Sequence, residues 1–246
     1  MNHQLMSWLT SMPIAHRGLY DEENAIPENS MTAFEKAIEH NYAIELDVYV
    51  TLSHEVVVFH DPTLRRMCGV DKRVESLTKE NLARYQLLRT GERIPLLKDV
   101  LRLVRGRVPL LIEIKRQPWI KNANMVILNT LLGYKGEMAV QSFDPFVLGW
   151  FARKGPMVTR GQLASDFRSE KMHWLLKYLL CNLKLNFISK PHFLAYDAKA
   201  LPKRHIERRR KKNGMIVLGW TVADQAELNR IKPHCDNIIF ERFRPG

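Results

Sequence analysis

The chain has 246 residues, of which 46% are hydrophobic and 26% charged. That is enough apolar material for a full globular core, which argues against a disordered polypeptide and suits one large domain over residues 1–246. Its 38 Lys and Arg outnumber 26 Asp and Glu to leave a net charge of +12, a balance that favours anionic partners such as phosphate compounds, acidic lipid surfaces or nucleic acid.

Apolar runs near 13–17, 43–50, 109–115, 138–143, 157–163, 193–197, 215–221 and 236–241 predict strands. Helical patterns fall between most of them, at 30–40, 96–105, 123–132, 145–153, 169–183, 202–212 and 224–231, with Ser30, Asp144, Ser169 and Asp224 where N-caps belong. Strands alternating with helices predict an α/β fold on a parallel sheet, and eight such units at this length predict a (β/α)₈ TIM barrel over a doubly wound open sheet. The run Glu55–Phe59 follows the preceding strand after only a few residues. A parallel crossover needs a dozen or more, so this segment is expected to be an antiparallel hairpin arm that brings His60 and Asp61 to the barrel mouth. Residues 62–94 read as a small charged insertion.

Two apolar runs carry charge at alternate positions: Glu45 and Asp47 within Ala43–Val48, and Glu113 and Lys115 within Leu110–Lys115. Strand side chains alternate faces, so each pair shares one face, where an unpaired charge would cost several kcal/mol. Three carboxylates at the C-terminal ends of neighbouring strands suit a hard divalent cation, Mg²⁺ or Ca²⁺. His16 and His60 supply an acid and a base near neutral pH, in an order the spacing leaves open. Arg17 and Lys115 suit a phosphate. Gln141 and Trp220 stand at further strand ends as candidate substrate contacts, Trp220 as pocket wall or barrel core.

His16-Arg17-Gly18, Pro27-Glu28-Asn29-Ser30, Glu45-Leu46-Asp47-Val48, His60-Asp61, Glu113-Ile114-Lys115, Gln141-Ser142-Phe143 and Trp220-Thr221-Val222 together closely resemble the glycerophosphodiester phosphodiesterase family over nearly the whole chain. The resemblance implies a barrel that hydrolyses glycerophosphodiesters to glycerol 3-phosphate and an alcohol. It also implies one divalent ion on Glu45, Asp47 and Glu113, acid–base catalysis by His16 and His60, phosphate contacts from Arg17 and Lys115, and Trp220 as a pocket wall. The attacking oxygen is a substrate hydroxyl or a water. The chain departs from the family pattern at Ser30, where Thr is common, and at Ala223, where Asn is frequent. It departs again at Ile238–Arg242, where an Asp followed by Pro is usual. The last two bear on substrate choice. A phospholipase or lysophospholipase activity on membrane lipids is the nearest rival, and an inactive barrel binding anionic lipid or nucleic acid is the rival of another class.

Cys68, Cys181 and Cys235 share no CxxC spacing, which argues against a disulfide framework or zinc site and fits a reducing cytoplasm. The first residues lack the pattern of a secretory signal, and no window suits a membrane span. The remaining expectations concern the surface. Residues 203–212 form a basic run on a helix, read as a solvated outer face before a lipid-docking one; nucleic acid is not expected, since aromatics are not interleaved. Trp174, Leu175, Tyr178, Leu179 and Leu183 line a stripe read as a barrel helix before an interfacial one, with peripheral contact to an anionic membrane as the alternative. Asn29 is read as a loop-shaping residue, and His54, His173, His192, His205 and His234 as surface groups.

Overall fold

The computed structural model describes residues 6–168 and 170–245. Nine strands are present: β1 (Ile14–Ala15), β2 (Ala43–Val50), β3 (Val56–Val58), β4 (Leu110–Ile114), β5 (Met138–Ser142), β6 (Thr159–Ala164), β7 (Phe193–Asp197), β8 (Ile216–Val222) and β9 (Asn237–Phe240). Their order is β1-β9-β8-β7-β6-β5-β4-β2-β3, with β1 also paired to β2, so eight strands close a ring and β3 stays outside it. With helices between the strands this is a (β/α)₈ barrel. No helix among the described residues is long and apolar enough to cross a membrane.

Two compact units divide the contacts: residues 15–138, and those through Ile14 together with those from Ala139 onward. In the first unit all eight residues of β2 are buried, as a parallel strand covered on both faces requires. β4 runs parallel to β2 with Asp47 opposite Glu113. β3 pairs antiparallel with β2, Val48 opposite Val58, which is the expected hairpin arm. The helix Leu97–Val104 buries Leu97, Val100, Leu101 and Val104, the i, i+3, i+4, i+7 stripe of an amphipathic helix. Ser30 caps the helix Met31–Glu39, its hydroxyl accepting from the Ala33 N–H at 3.1 Å.

The insertion at 62–94 packs Leu64, Met67, Val74, Leu77 and Leu82 against Tyr49, Val57 and Phe59. It forms short helices at Arg65–Cys68 and Lys79–Leu82. Strand one is shorter than the apolar run at 13–17 suggests, because Arg17 and Gly18 both take positive φ and turn the chain out of the strand. Gly18 is required there: a Cβ would stand 2.9 Å from the Ala33 backbone, at a φ of +81°.

In the second unit β5 to β9 are parallel neighbours in chain order. Gly161 on β6 leaves room for the Phe193 ring of β7; a Cβ would meet that ring at 2.1 Å. Asp144 and Asp224 cap the helices Pro145–Lys154 and Gln225–Ile231.

The helical pattern expected over 169–183 is a correction. The helix spans only Trp174–Cys181 and is capped by His173, while Ser169 lies outside the described residues. Three histidines read as surface groups are half-buried and bonded. His192 Nδ1 accepts from the Arg160 N–H, His205 Nε2 meets the Cys181 carbonyl, and His234 pairs with Glu207.

Candidate active site

The charged face of β2 and β4 is built by register. Glu45 and Asp47 are two apart on β2, and Glu113 stands directly opposite Asp47. One carboxylate oxygen from each lies within 4.8 Å of the others, and all three residues are buried. Alternation sends Ile44, Leu46 and Val48 the other way into the apolar core.

Three like charges in one buried place need counter-charge. Lys115 Nζ lies 2.7 Å from Asp47 Oδ1 and 2.6 Å from Glu113 Oε1. Arg17 reaches the same cluster from the end of β1: its backbone N–H donates to Glu45 Oε2 at 3.1 Å and its Nε stands 3.5 Å from Asp47 Oδ2. His16 Nε2 is 4.0 Å from Glu45 Oε2. Asn29 does more than shape its loop. Its Nδ2 donates to Asp47 Oδ2 at 2.9 Å, while its backbone N–H donates to the Arg17 carbonyl.

These neighbours split the carboxylates electrostatically. Burial, with the charges of Asp47 and Glu113 beside it, pushes the Glu45 carboxyl well above the usual range. Asp47 goes the other way: burial would raise it, but Lys115, His60 and Arg17 hold it well below. Burial would strip the Lys115 proton, yet Asp47 and Glu113 hold its ammonium charged far above the ordinary lysine value. An all-oxygen donor set with one carboxylate under strong repulsion fits a hard divalent cation.

His60 follows the hairpin arm, anchored by the Phe59 N–H donating to the Asp47 carbonyl at 2.9 Å. Its Nδ1 meets Asp61 Oδ1 at 2.6 Å. Arg66, from the insertion, donates to both Asp61 oxygens at 2.8 and 3.0 Å and to both Glu28 oxygens at 2.9 and 2.6 Å. Glu28 also receives Arg17 Nη1 at 2.8 Å. His60, Asp61, Arg66, Glu28 and Arg17 thus form one hydrogen-bonded chain, which the Arg17 ion pair brings back to Asp47. Burial pushes His60 down, with the Asp47 charge opposing it. Glu28 and Asp61 are held below their usual values against burial, chiefly by Arg66.

The structure therefore brings together His16, Arg17, Glu45, Asp47, His60, Glu113 and Lys115, all within residues 15–138. Gln141 and Trp220 belong to the other unit. Gln141 is buried on β5. Trp220, on β8 opposite Asp197, packs edge-on against Phe143 at 5.5 Å. With Phe143, Phe167 and Asp197 it lines a cavity of about 620 Å³. Its buried Nε1 has no hydrogen-bond partner among the described residues, which favours a pocket wall over sealed core. Arg66 is the residue that sequence reasoning missed. It sits in a charged insertion without periodicity, and only its contacts distinguish it from Arg65.

A barrel with this carboxylate, lysine and histidine cluster suits a phosphoric diester hydrolase, and the comparison with known proteins makes it one. Residues 16–242 match the Glycerophosphoryl diester phosphodiesterase family, and the chain belongs to that family. It is 28% identical to a glycerophosphodiester phosphodiesterase of Caldanaerobacter subterraneus over 94% of each chain. The glycerophosphodiester phosphodiesterase of Thermotoga maritima superposes with a TM-score of 0.72 at 25% identity, covering 93% of this chain and 94% of that one. An Oleispira antarctica phosphodiesterase solved with the product sn-glycerol-3-phosphate has a TM-score of 0.77 at 20% identity, covering 94% of this chain and 92% of that one.

Proposed function

We propose that this chain hydrolyses glycerophosphodiesters to glycerol 3-phosphate and an alcohol, with a divalent ion and the His16/His60 pair. The observation that carries this is the buried Glu45/Asp47/Glu113 triad, tied to Lys115 and Arg17 and flanked by His16. Bound by these three carboxylates, Mg²⁺ or Ca²⁺ would polarise a phosphoryl oxygen and acidify an adjacent hydroxyl. The product named for the Oleispira relative supports glycerol 3-phosphate as product here.

In the reaction one histidine takes the proton from the attacking oxygen as that oxygen bonds phosphorus. The other gives a proton to the departing alkoxide as its P–O bond breaks. If the attacker is a glycerol hydroxyl, a cyclic phosphate results and water opens it in a second step. If it is water, glycerol 3-phosphate forms at once. Arg17 and Lys115 already offset the carboxylates and would extend that counter-charge to the phosphoryl oxygens in the transition state. Trp220 would bound the space for the substrate.

Glycerophosphocholine turnover under defined Mg²⁺ and Ca²⁺, with and without chelator, tests the reading. Glu45→Gln and Glu113→Gln are expected to lose at least about a hundredfold in kcat with the fold retained. Chelator-insensitive turnover, or normal activity in either variant, would refute the ion's role. Phosphorus NMR of the reaction distinguishes the two attacking oxygens by the presence of a cyclic phosphate.

A further inference from the structure

The helix Trp174–Cys181, Trp-Leu-Leu-Lys-Tyr-Leu-Leu-Cys, buries none of its residues. Trp174 is 71% exposed, as is Phe187 in the next turn, and Leu175, Leu176 and Tyr178 are also exposed. Five of the thirteen exposed large apolar side chains of the described residues therefore fall within fourteen consecutive positions. Large apolar side chains exposed this densely along the chain mark a surface made to be covered. It is also held in place. The carbonyl of Cys181 at the helix end accepts from the Tyr196 hydroxyl at 3.2 Å and meets His205 Nε2 at 3.1 Å, and Leu183 is buried just beyond.

Within the segment itself the charge has one sign, and Glu170 stands just before it. From Lys171 to Tyr196 there is no Asp or Glu, while Lys171, Lys177, Lys184 and Lys190 punctuate the apolar residues. The helix Arg204–Asn213 carries more basic charge. Nearby acids are taken by other cations: Asp166 by Lys203 and Arg168, Glu207 by Lys211 and His234, Asp236 by Arg210. Lys184, Arg208 and Arg209 have no acidic partner among the described residues. They line a crevice of about 410 Å³ together with Tyr178. A neighbouring cavity of about 450 Å³ joins Lys184 and Arg209 to Phe187 and Lys190. Apolar side chains beside unneutralised basic crevices match the two layers of an anionic bilayer surface, acyl chains under a shell of phosphate.

We infer that residues 174–190 and the Lys184/Arg208/Arg209 crevice dock this enzyme on membranes rich in acidic phospholipid. The helix lies in the interface with Trp174, Leu175 and Phe187 among the upper acyl carbons, and lipid phosphates enter the crevice. A second copy of the chain fits less well. A two-fold contact through this patch would set two surfaces that both carry Lys177, Lys184 and Lys190 against each other, with no acid between Lys171 and Tyr196 to pair them.

The test is co-sedimentation of the full chain with phosphatidylcholine vesicles, with and without phosphatidylglycerol as a third of the lipid, at low and high salt. The expected result is binding to the acidic vesicles only, weakened by salt. Trp174→Ser/Leu175→Ser/Phe187→Ser and Lys184→Glu/Arg208→Glu/Arg209→Glu should each lower that binding by about tenfold or more. Both variants should keep the wild-type melting temperature and glycerophosphocholine turnover, because none of these residues belongs to the catalytic cluster. Absence of binding at low salt, equal binding to neutral vesicles, or unaltered binding by either folded variant would overturn the inference. So would a dimer, seen by light scattering, that the apolar triple variant abolishes. Loss of the proposed hydrolytic function would leave this result standing, since vesicle binding is read without turnover.

Discussion

The carboxylate cluster on β2 and β4 and the helix Trp174–Cys181 invert the ordinary placement of residues in opposite senses. In the first, charge lies buried where apolar residues belong, and each charge is met: Lys115 bridges Asp47 and Glu113, Arg17 reaches Glu45 and Asp47, and Asn29 holds Asp47. In the second, apolar side chains are exposed, and Lys184, Arg208 and Arg209 beside them have no acidic partner among the described residues. Both arrangements cost the isolated chain free energy. The first is completed largely from within, by Lys115, Arg17 and Asn29, whereas the second is, on the inference above, completed from outside. Removing a residue should therefore be severe in the first region and mild in the second.

Lys115→Met sharpens that contrast most. It leaves Asp47 and Glu113 buried without their shared ammonium, a type of change that costs about 3–5 kcal/mol. In chelator the variant should melt far below the parent. Added divalent cation should restore part of the loss, because a ligand that binds only the folded state stabilises it. A melting temperature equal to the parent's in chelator would show that Lys115 is not the counter-charge for these acids.

A smaller effect is expected at Arg66, whose side chain is 43% exposed. It touches Asp61 and Glu28 and so positions His60 only through Asp61. Arg66→Ala should lower kcat about three- to tenfold with little change in KM, less than loss of a group that itself transfers the proton. The stability cost should be about 1–2 kcal/mol, reduced by solvent screening at an exposed guanidinium. Its pH dependence has a definite sign. Glu28 and Asp61 sit below their unfolded values in the folded chain. Their contribution is thus complete above about pH 5 and is lost as pH falls through the depressed folded values. The gap in melting temperature between Arg66→Ala and the parent should be constant near neutrality and close in acid. A gap that widened in acid would refute the coupling.

What was legible in the chain follows the same division. Strand positions, the β3 hairpin and the face shared by Glu45, Asp47, Glu113 and Lys115 all follow from period-two alternation and loop length, which are local rules. The ends of elements were less legible. Arg17 at positive φ turns the chain out of β1 after two residues, and its backbone is held there by Glu45 and Asn29, far away in sequence. Arg66 is invisible to such rules, because its role depends on the insertion folding back toward Asp61 and Glu28. The stripe at Trp174 was legible only in part: its helix stands between β6 and β7 as expected, with Leu183 buried and Trp174, Leu175 and Tyr178 exposed. An apolar stripe announces a face that will be covered, and only the fold says whether the chain itself covers it. His192, read as surface, is half-buried for a related reason: Arg160 and His192 clasp each other through His192 Nδ1 and the backbone, across β6 and the turn into β7.

The smallest effect is the sharpest discriminator of the two regions. Leu176 is 44% exposed, and no residue of its helix is fully buried. Burial of a leucine is worth about 1.5–3 kcal/mol, so the cost of removing one measures how much of it is covered. Leu176→Ser should cost about 1 kcal/mol, in proportion to the half of its surface that the chain covers. Leu46→Ala, between the two carboxylates of β2 and fully buried, should cost about 2–5 kcal/mol. Denaturant unfolding of both, read at a common slope, makes the comparison. A loss of that size in the monomer would leave the exposed half of its surface free for an external partner. A loss approaching that of Leu46→Ala would mean that the chain itself covers this helix in solution, and the contrast between the two regions would fail.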